Sequence, residues 1–275
     1  MHNIMNIKPI THEFSIGADP EMFLVGPDGE FQSSIDLLGG SKDNPRPLAH
    51  CAVQEDNVMA ELNVNVSRTR EQFIQNVGLA IRDLEEVINP YNLSIAKVAT
   101  AKFKREKMFD PRCFRFGCDP DYGHRSSTLE VPRIPRYTRY AGGHVHLGYN
   151  SNLIRQDTMA QYLDLTLGLF SVVADGDRFR KKKYGTPTRH RPKSYGVEYR
   201  TPSNFWIFTP ESVGVVFDLT VLALNHGINY GDIAYWESAA IAIETNNKKK
   251  AVSVFNYTFA RHGYKLTDFV KAAGF

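Results

Sequence analysis

The 275-residue chain has few cysteines: only Cys51, Cys113 and Cys118. The number is odd and the short pairing of a thiolate metal module is missing, so neither a disulfide framework nor a zinc module is indicated. It also lacks a decisive charge. Lys and Arg total 33 against 30 Asp and Glu, a net +3, too small an excess to argue for a nucleic-acid or membrane partner. No stretch approaches the roughly 20 apolar residues of a membrane span, and residues 1–8 carry no signal-peptide apolar core. Repeats of solenoid length, low-complexity tracts and linkers are absent as well. What remains, with 42% hydrophobic residues, is enough for a substantial core in one domain spanning 1–275, expected in a reducing cytoplasm.

Against this background four short segments stand out: Asp19-Pro20-Glu21, Glu61-Leu62-Asn63, His144-Val145-His146 and Glu198-Tyr199-Arg200. Each places metal- or phosphate-binding side chains two residues apart. In a strand, residues i and i+2 project to the same face while the residue between them turns away. Around Glu61 the alternation is long: Val58, Ala60, Leu62, Val64 and Val66 against Asn57, Met59, Glu61, Asn63 and Asn65. Strands of this kind in one sheet would gather carboxylates, imidazoles and a guanidinium on one face. Carboxylates crowded away from water either take up protons or need a cation. An oxygen-rich set with an imidazole suits Mg²⁺ or Mn²⁺ better than zinc. A metal-plus-arginine face is the usual apparatus for holding a polyphosphate and stabilising a phosphoryl group in flight.

The remaining chain predicts alternating elements in no strict order. Residues 13–16 and 22–25 read as strand before the turn Gly26-Pro27-Asp28-Gly29, a hairpin-like opening. Residues 38–50 read as loop, and Thr69 with Gln72 forms a capping-box pattern ahead of a helix ended by Asn89-Pro90. Residues 94–100 look like one strand and residues 104–140 like a long loop, a length that is usually functional. A strand over 142–149, an apolar helix over 155–174, a basic loop over 175–194 and a strand over 195–201 follow. Thr209-Pro210-Glu211 then opens a buried helix. From residue 206 the chain is expected to be helical, with Lys248 to Lys250 as a basic interruption. The mixed order predicts an α+β fold with a largely antiparallel, curved sheet packed with helices.

Two levels of resemblance follow from the motifs. Asp19-Pro20-Glu21-Met22-Phe23, Gly143-His144-Val145-His146 and Glu198-Tyr199-Arg200 are similar, in order, to three catalytic strands of glutamine synthetases. More closely, Gly17-Ala18-Asp19-Pro20-Glu21, Phe116-Gly117-Cys118-Asp119-Pro120-Asp121, Gly142-Gly143-His144-Val145-His146-Leu147-Gly148 and Tyr195-Gly196-Val197-Glu198-Tyr199-Arg200-Thr201 resemble the phage amidoligases called COOH–NH2 ligase type 2. The motifs span about residues 13–205.

The resemblance implies a glutamine synthetase-like catalytic domain. On it ATP phosphorylates a carboxylate, and an amine then displaces phosphate to give an amide or peptide bond, with Mg²⁺ bridging the phosphates. It implies Asp19, Glu21, Glu61, His144 and Glu198 as metal ligands, with Asp19 one methylene shorter than the glutamate it replaces. It further implies Glu21, Glu198, Arg200 and Asp119 as catalytic, and Arg200, Arg191, Lys193, His146 and Asn63 as nucleotide contacts. Glu55 is one candidate for a second acid near Glu61, and Glu55, Asp119 and Asp121 are unranked candidates for the base that deprotonates the amine.

Blander readings stand beside these. Arg189, Arg191 and Lys193 also fit a solvated basic run, Asn63 and Asn65 a solvated strand face, and Glu198 with Arg200 a cross-strand ion pair of small energetic value. For Cys118 nothing nearby in sequence establishes an activating histidine, which argues against thiol catalysis. The expected partners are small-molecule or peptide carboxylates and amines, with a shared site between copies of the chain left open and, for a phage protein, the host cytoplasm as compartment. A phosphotransferase on the same sheet, or a catalytically inactive binding or virion-associated protein, are the alternatives.

Overall fold

The computed structural model describes residue 7 and residues 12–114 and 135–275. Among the described residues there are eleven strands: β1 (Ser15–Val25), β2 (Phe31–Gln32), β3 (Arg46–Pro47), β4 (Cys51–Asp56), β5 (Met59–Ser67), β6 (Ser94–Ala96), β7 (Thr100–Lys102), β8 (Thr138–Tyr140), β9 (Gly143–Gly148), β10 (His190–Lys193) and β11 (Gly196–Tyr199). Nine of them form one antiparallel sheet in the order β10-β11-β9-β1-β5-β4-β3, with β2 and β6 pairing the far end of β1, while β7 and β8 make a separate ribbon. The expected α+β class and antiparallel pairing are borne out.

Alternation gives the sheet two unlike faces. Ala18, Met22, Leu24, Val53, Leu62, Val64, Val145, Leu147, Val197 and Tyr199 are buried in the main apolar core with Phe73, Val77 and Leu84 of helix α1 (Arg70–Ile88). A second helical layer continues this core. It runs through α2 (Gln156–Leu163), a π-turn over Asp164–Gly168 and α3 (Leu169–Ala174), then α4 (Arg178–Lys181), α5 (Pro210–Asn229), α6 (Trp236–Glu244), α7 (Lys248–Thr258) and α8 (Leu266–Ala272). The capping signals act as the sequence suggests: Thr69 accepts from the Gln72 amide at 3.2 Å, and Thr209 accepts from the Ser212 amide at 3.2 Å ahead of the buried α5. The opposite face of the sheet is polar at its centre. One end of that face is covered by a smaller apolar cluster of Phe23, Val58, Met59, Ala101, Phe103, Met108, Cys113 and Ala141. Among the described residues no helix is long and apolar enough to cross a membrane.

Several boundaries differ from expectation. The two opening strands are one continuous β1, because β5 and β9 pair it across the gap between them, residues 17–21. The segment read as one strand over 94–100 is two, β6 and β7. The Val98 amide turns back to the Ala96 carbonyl at 2.9 Å, a three-residue turn that moves the chain from β1 to β8. The basic loop over 175–194 contains α4 and β10, so Arg191 and Lys193 sit on a strand. The loop over 38–50 contains β3, and the one over 104–140 ends in β8. Lys248 to Lys250 open α7 behind the cap Asn247, which accepts from the Lys250 amide, rather than interrupting a helix.

A single buried carboxylate ties the helical layer to the sheet. Asp164, with no exposed surface, lies in the π-turn and accepts from the Thr188 amide at 2.9 Å, the Tyr199 hydroxyl at 2.6 Å and the Trp236 indole at 3.0 Å. It thereby joins the approach to β10, the end of β11 and the start of α6. Replacing Asp164 with Ala removes the acceptor shared by the buried Thr188 amide and Tyr199 hydroxyl and the half-buried Trp236 indole, at about 1–3 kcal/mol apiece before relaxation. Asp164→Ala is therefore expected to lower the unfolding free energy by several kcal/mol, or about 3 at least, in urea denaturation.

Candidate active site

The strand register brings the motif residues together. Asp19 lies opposite His144, His146 opposite Glu198, Glu198 opposite Arg191, Glu21 opposite Glu61 and Glu61 opposite Gln54. All therefore share the polar face. Burial there is deep: Glu198 has no exposed surface, His144 is 3% exposed, Glu21 5%, and Glu61 and Arg200 9% each. His144, Glu21, Glu61 and Arg200, with Asp19 and Asp56, line a cleft of about 370 Å³.

Two groups of possible metal ligands lie side by side. Asp19, His144 and Glu198 form one, and Glu21, Asp56 and Glu61 the other; within each, the donor atoms lie within 4.8 Å of one another. His144 stands between them. Its Nδ1 is 3.1 Å from Asp19 Oδ1 and 4.0 Å from Glu198 Oε1, while its Nε2 is 3.9 Å from Glu21 Oε1. Burial, and then the Arg200 charge, push the His144 pKa down to about 4, so the ring is neutral near pH 7, the form that ligates a metal.

The two groups differ in charge. Burial raises Asp19, but the imidazoles of His146 and His144 outweigh it and hold the carboxyl well below its usual value. Burial and Asp19 likewise push Glu198 up, and Arg200 with the two imidazoles brings it down to about 2. Lys193 Nζ lies 2.9 Å from Glu198 Oε2, Arg191 Nη1 lies 3.1 Å from its carboxylate, and Arg200 Nη1 is in close contact with it. In the second group burial dominates and nothing comparable opposes it. Glu21 is raised to about 8, Asp56 is raised, and Glu61 is raised well above the carboxylate range. These carboxyls share protons where a cation would otherwise balance them.

Backbone features hold the geometry. The Gly142 amide donates to Glu21 Oε2 at 2.5 Å, and the Glu21 amide donates to the Gly142 carbonyl at 2.9 Å. A Cβ on Gly142 would lie 2.1 Å from His144 Nε2, so the imidazole occupies the room its missing side chain leaves. Asn204 Nδ2 donates to the Glu21 carbonyl at 2.8 Å. Beneath Arg200, the buried Arg180 donates to the Thr201 carbonyl at 2.8 Å and the Arg200 carbonyl at 3.2 Å, fixing the chain as it leaves β11.

Asp19, Glu21, Glu61, His144, Glu198, Arg200, Arg191 and Lys193 thus converge as a set. His146 shares the face, with Nε2 3.0 Å from Asp19 Oδ2 and Nδ1 in close contact with the Tyr195 hydroxyl. Asn63 is turned to Gln54, donating to its Oε1 at 3.3 Å. Asn65 lies further out and donates to the His50 carbonyl at 2.7 Å. Asp119, Asp121 and Cys118 lie outside the described residues.

Glu55 does not join the acidic group. It lies opposite Ala60 on the other parity of β4, and its Oε1 accepts from the Leu38 and Gly39 amides at 3.2 Å each. Asp56 takes that place, and sequence reasoning missed it. The signal was present, since Gln54 and Asp56 repeat the i, i+2 polar spacing.

Residues 133–250 match the family model described as "Phage phiEco32-like COOH.NH2 ligase-type 2". The resemblance expected from the motifs is therefore found, and carboxylate–amine ligation is the class of chemistry it points to. The match takes in His144, His146, Arg191, Lys193, Glu198 and Arg200 and leaves the acids of β1, β4 and β5 outside it. No curated protein matches the chain.

Among solved structures, a bifunctional glutathione synthetase from Pasteurella multocida superposes with a TM-score of 0.56 at 12% identity, over 94% of this chain and 46% of that one. This chain thus spans about half the length of that protein, and the likeness is one of fold. GmaS in complex with ADP gives a TM-score of 0.45 at 14% identity, over 94% of this chain and 68% of that one. A glutamine synthase homolog gives 0.40 at 11%, over 94% and 69%.

The raised carboxyls have a thermodynamic signature. Between about pH 6.5 and 8, native Glu21 with its pKa near 8 keeps a proton that the unfolded chain has lost. Stability of the metal-free protein should therefore fall as pH rises through that window. His144, lowered to about 4, acts in the opposite sense only below its unfolded value near 6.5. Thermal unfolding in EDTA from pH 6.5 to 8.5 should show the decline, and a flat or rising melting temperature would contradict the protonated acidic group.

Proposed function

We propose that the chain is an ATP-dependent carboxylate–amine ligase working through an acyl phosphate, with Mg²⁺ or Mn²⁺ held by Asp19, His144 and Glu198 and by Glu21, Asp56 and Glu61. The observation that carries this reading is the adjacency of the two ligand groups on one sheet face, beside the cationic row Arg191, Lys193 and Arg200. The donors fit hard divalent cations: five carboxylates and one imidazole, no thiolate. Such ions would mask the repulsion between an incoming carboxylate and the ATP γ-phosphate.

This chain's own residues do the rest. Arg191, Lys193 and Arg200, which neutralise Glu198 in the metal-free protein, are the cations that bound phosphates would meet, and they stabilise the charge spreading over the γ-phosphoryl group during transfer. The substrate carboxylate oxygen attacks the γ-phosphorus, the bond to the β-phosphate oxygen breaks, and ADP leaves. The amine nitrogen then attacks the acyl carbon, phosphate departs, and the amine gives up a proton. Glu55 is occupied by its two amide contacts, so the acids of the 119–121 segment stay as candidates for that proton. Substrates are a small-molecule or peptide carboxylate and an amine.

A phosphotransferase on the same sheet would give a phosphorylated acceptor and ADP, in place of an amide, ADP and phosphate. An inactive scaffold would have little reason to crowd Glu21, Asp56 and Glu61 together at the sheet centre.

Calorimetric titration of ATP with and without Mg²⁺ tests the proposal. Binding is expected to depend on the metal and to weaken more than about tenfold in Glu198→Gln, with the circular dichroism spectrum unchanged. Equal ATP binding by that variant and the wild type would overturn the site. Gly142→Ala should displace the His144 ring and weaken Mn²⁺ binding by about tenfold to a hundredfold, whereas Gly78→Ala, where a Cβ meets nothing within 4 Å, should leave it unchanged.

A further inference from the structure

The small net charge hides a local excess. Five of the six residues from Arg178 to Lys183 are cations, and Lys248 to Lys250 add three more. Helix α3 brings the two segments together. Lys181 Nζ donates to the carbonyls of Ser171 and Asp175 at 2.7 Å each and to Asn246 Oδ1 at 3.2 Å, while Lys248 Nζ donates to the Val173 carbonyl at 2.8 Å. Both segments therefore sit at the carboxyl-terminal end of α3, whose free carbonyls and dipole attract cations. Burial, with the charges of Lys248 and Arg178 added, brings the Lys181 pKa down to about 8 against the pull of Asp175 and Asp177.

Holding elements together explains only some of these side chains. Arg180, which grips the Arg200 and Thr201 carbonyls, and Lys181 turn inward, at 2% and 8% exposed. Phe179 beside them does the reverse and is 70% exposed. One turn of chain thus buries an arginine and a lysine and leaves a phenyl ring in water, the opposite of the usual partition. Arg178, Lys182 and Lys249 are exposed as well, and Lys183 and Lys250 are half-buried. The acids of this turn face elsewhere: Asp177 Oδ1 accepts from the Phe179 and Arg180 amides at 2.9 Å each, and Asp175 accepts from the Asp177 amide at 2.8 Å and the Ser203 hydroxyl at 2.9 Å. The first turn of α7 carries its three lysines at the end where the helix dipole favours acids. Helix stability is not what this gathering of like charge serves.

We propose that this surface binds a single-stranded nucleic acid, with the Phe179 ring stacked on a base and Arg178, Lys182, Lys183, Lys249 and Lys250 meeting phosphates. An exposed aromatic ring set in a basic track suits an unpaired strand, because every base has a face to stack and every linkage a charge to neutralise. Other polyanions use only part of it. An acidic peptide meets the cations and leaves the ring in water, and a duplex keeps its base faces stacked on one another. An anionic membrane would accept the ring, but α4 offers it one apolar side chain and no apolar face. The proposal stands apart from the ligase reading, since none of these residues lines the cleft.

Fluorescence anisotropy on the full chain tests this with a labelled oligothymidylate of about 12 nucleotides. Binding is expected to weaken as NaCl rises, with a slope of log K on log salt of about −3, as roughly four phosphate contacts on a single strand would give. Phe179→Ala should weaken binding about tenfold at an unchanged slope, and Phe179→Trp should restore it. Changing Lys249 and Lys250 together to Gln should make the slope shallower by about 1.4. These side chains are exposed or half-buried, so the circular dichroism spectrum should not change.

Saturating ATP with Mg²⁺ should leave the oligonucleotide bound. Displacement by it would put the strand in the cleft, overturning this proposal and leaving the ligase reading intact. Polyglutamate bound as tightly as the oligonucleotide would make the surface a dock for acidic protein segments. Preference for vesicles with about 30% phosphatidylserine would make it a membrane contact. Binding indifferent to Phe179→Ala would reduce it to plain counter-charge. Each of these three results overturns the proposal, as does the lack of any binding at about 50 mM salt.

Discussion

A carboxylate with no access to water governs this structure. Glu198 is fully enclosed and still ionised, because Arg200, Arg191 and Lys193 surround it and the imidazole of His144 lies within 4.0 Å. A buried charge of that kind is costly unless its partners are fixed in place. Much of the surrounding architecture supplies that fixity: Arg180 gripping the backbone at Arg200 and Thr201, Asp164 gripping Tyr199 from the opposite face, and Thr188 held just ahead of β10. One face of β11 carries chemistry and the other carries the hydrogen bond that keeps the strand from shifting. A slip of one residue would exchange the two faces and bury Tyr199 among carboxylates.

The acids on β1, β4 and β5 answer the same cost differently. Glu21, Asp56 and Glu61 have no ring of cations, so they hold protons, and the site divides into a half that is ionised and a half that is neutral. A molecule arriving with divalent cations and phosphates would meet a charged half already organised by fixed guanidinium groups. In the other half, protons would leave as the cation enters. This asymmetry follows from the order of strands, since the basic strand β10 borders β11 while β4 and β5 border each other.

The site face was legible in the sequence because strands have a period of two. Asp19 and Glu21, Glu61 and Asn63, His144 and His146, and Glu198 and Arg200 needed only one sheet to converge, and the register confirms their common face. What escaped the sequence is of another kind. Asp56 follows the alternation of its strand yet sits beside Asn57, at a φ of 58°, where turn chemistry masks strand chemistry. Glu55 was the wrong neighbour for the reason that made its pairs right: one step along a strand is the other face. Arg180, Asp164 and Gly142 act through contacts 20 or more residues away or through absent atoms, which no local pattern records. The division of residues 94–100 between two sheets depended likewise on where β1 and β8 lie.

The strands at the two ends of the sheet's main path each carry a proline, Pro47 in the two-residue β3 and Pro192 in β10. Proline offers no amide hydrogen, so each rim of the sheet has a gap in the row of donors that another extended chain would need. A half-assembled sheet is therefore a poor template for its neighbours in a crowded translation mixture. At these two rims the ladder is not readily extended by a second copy of the chain.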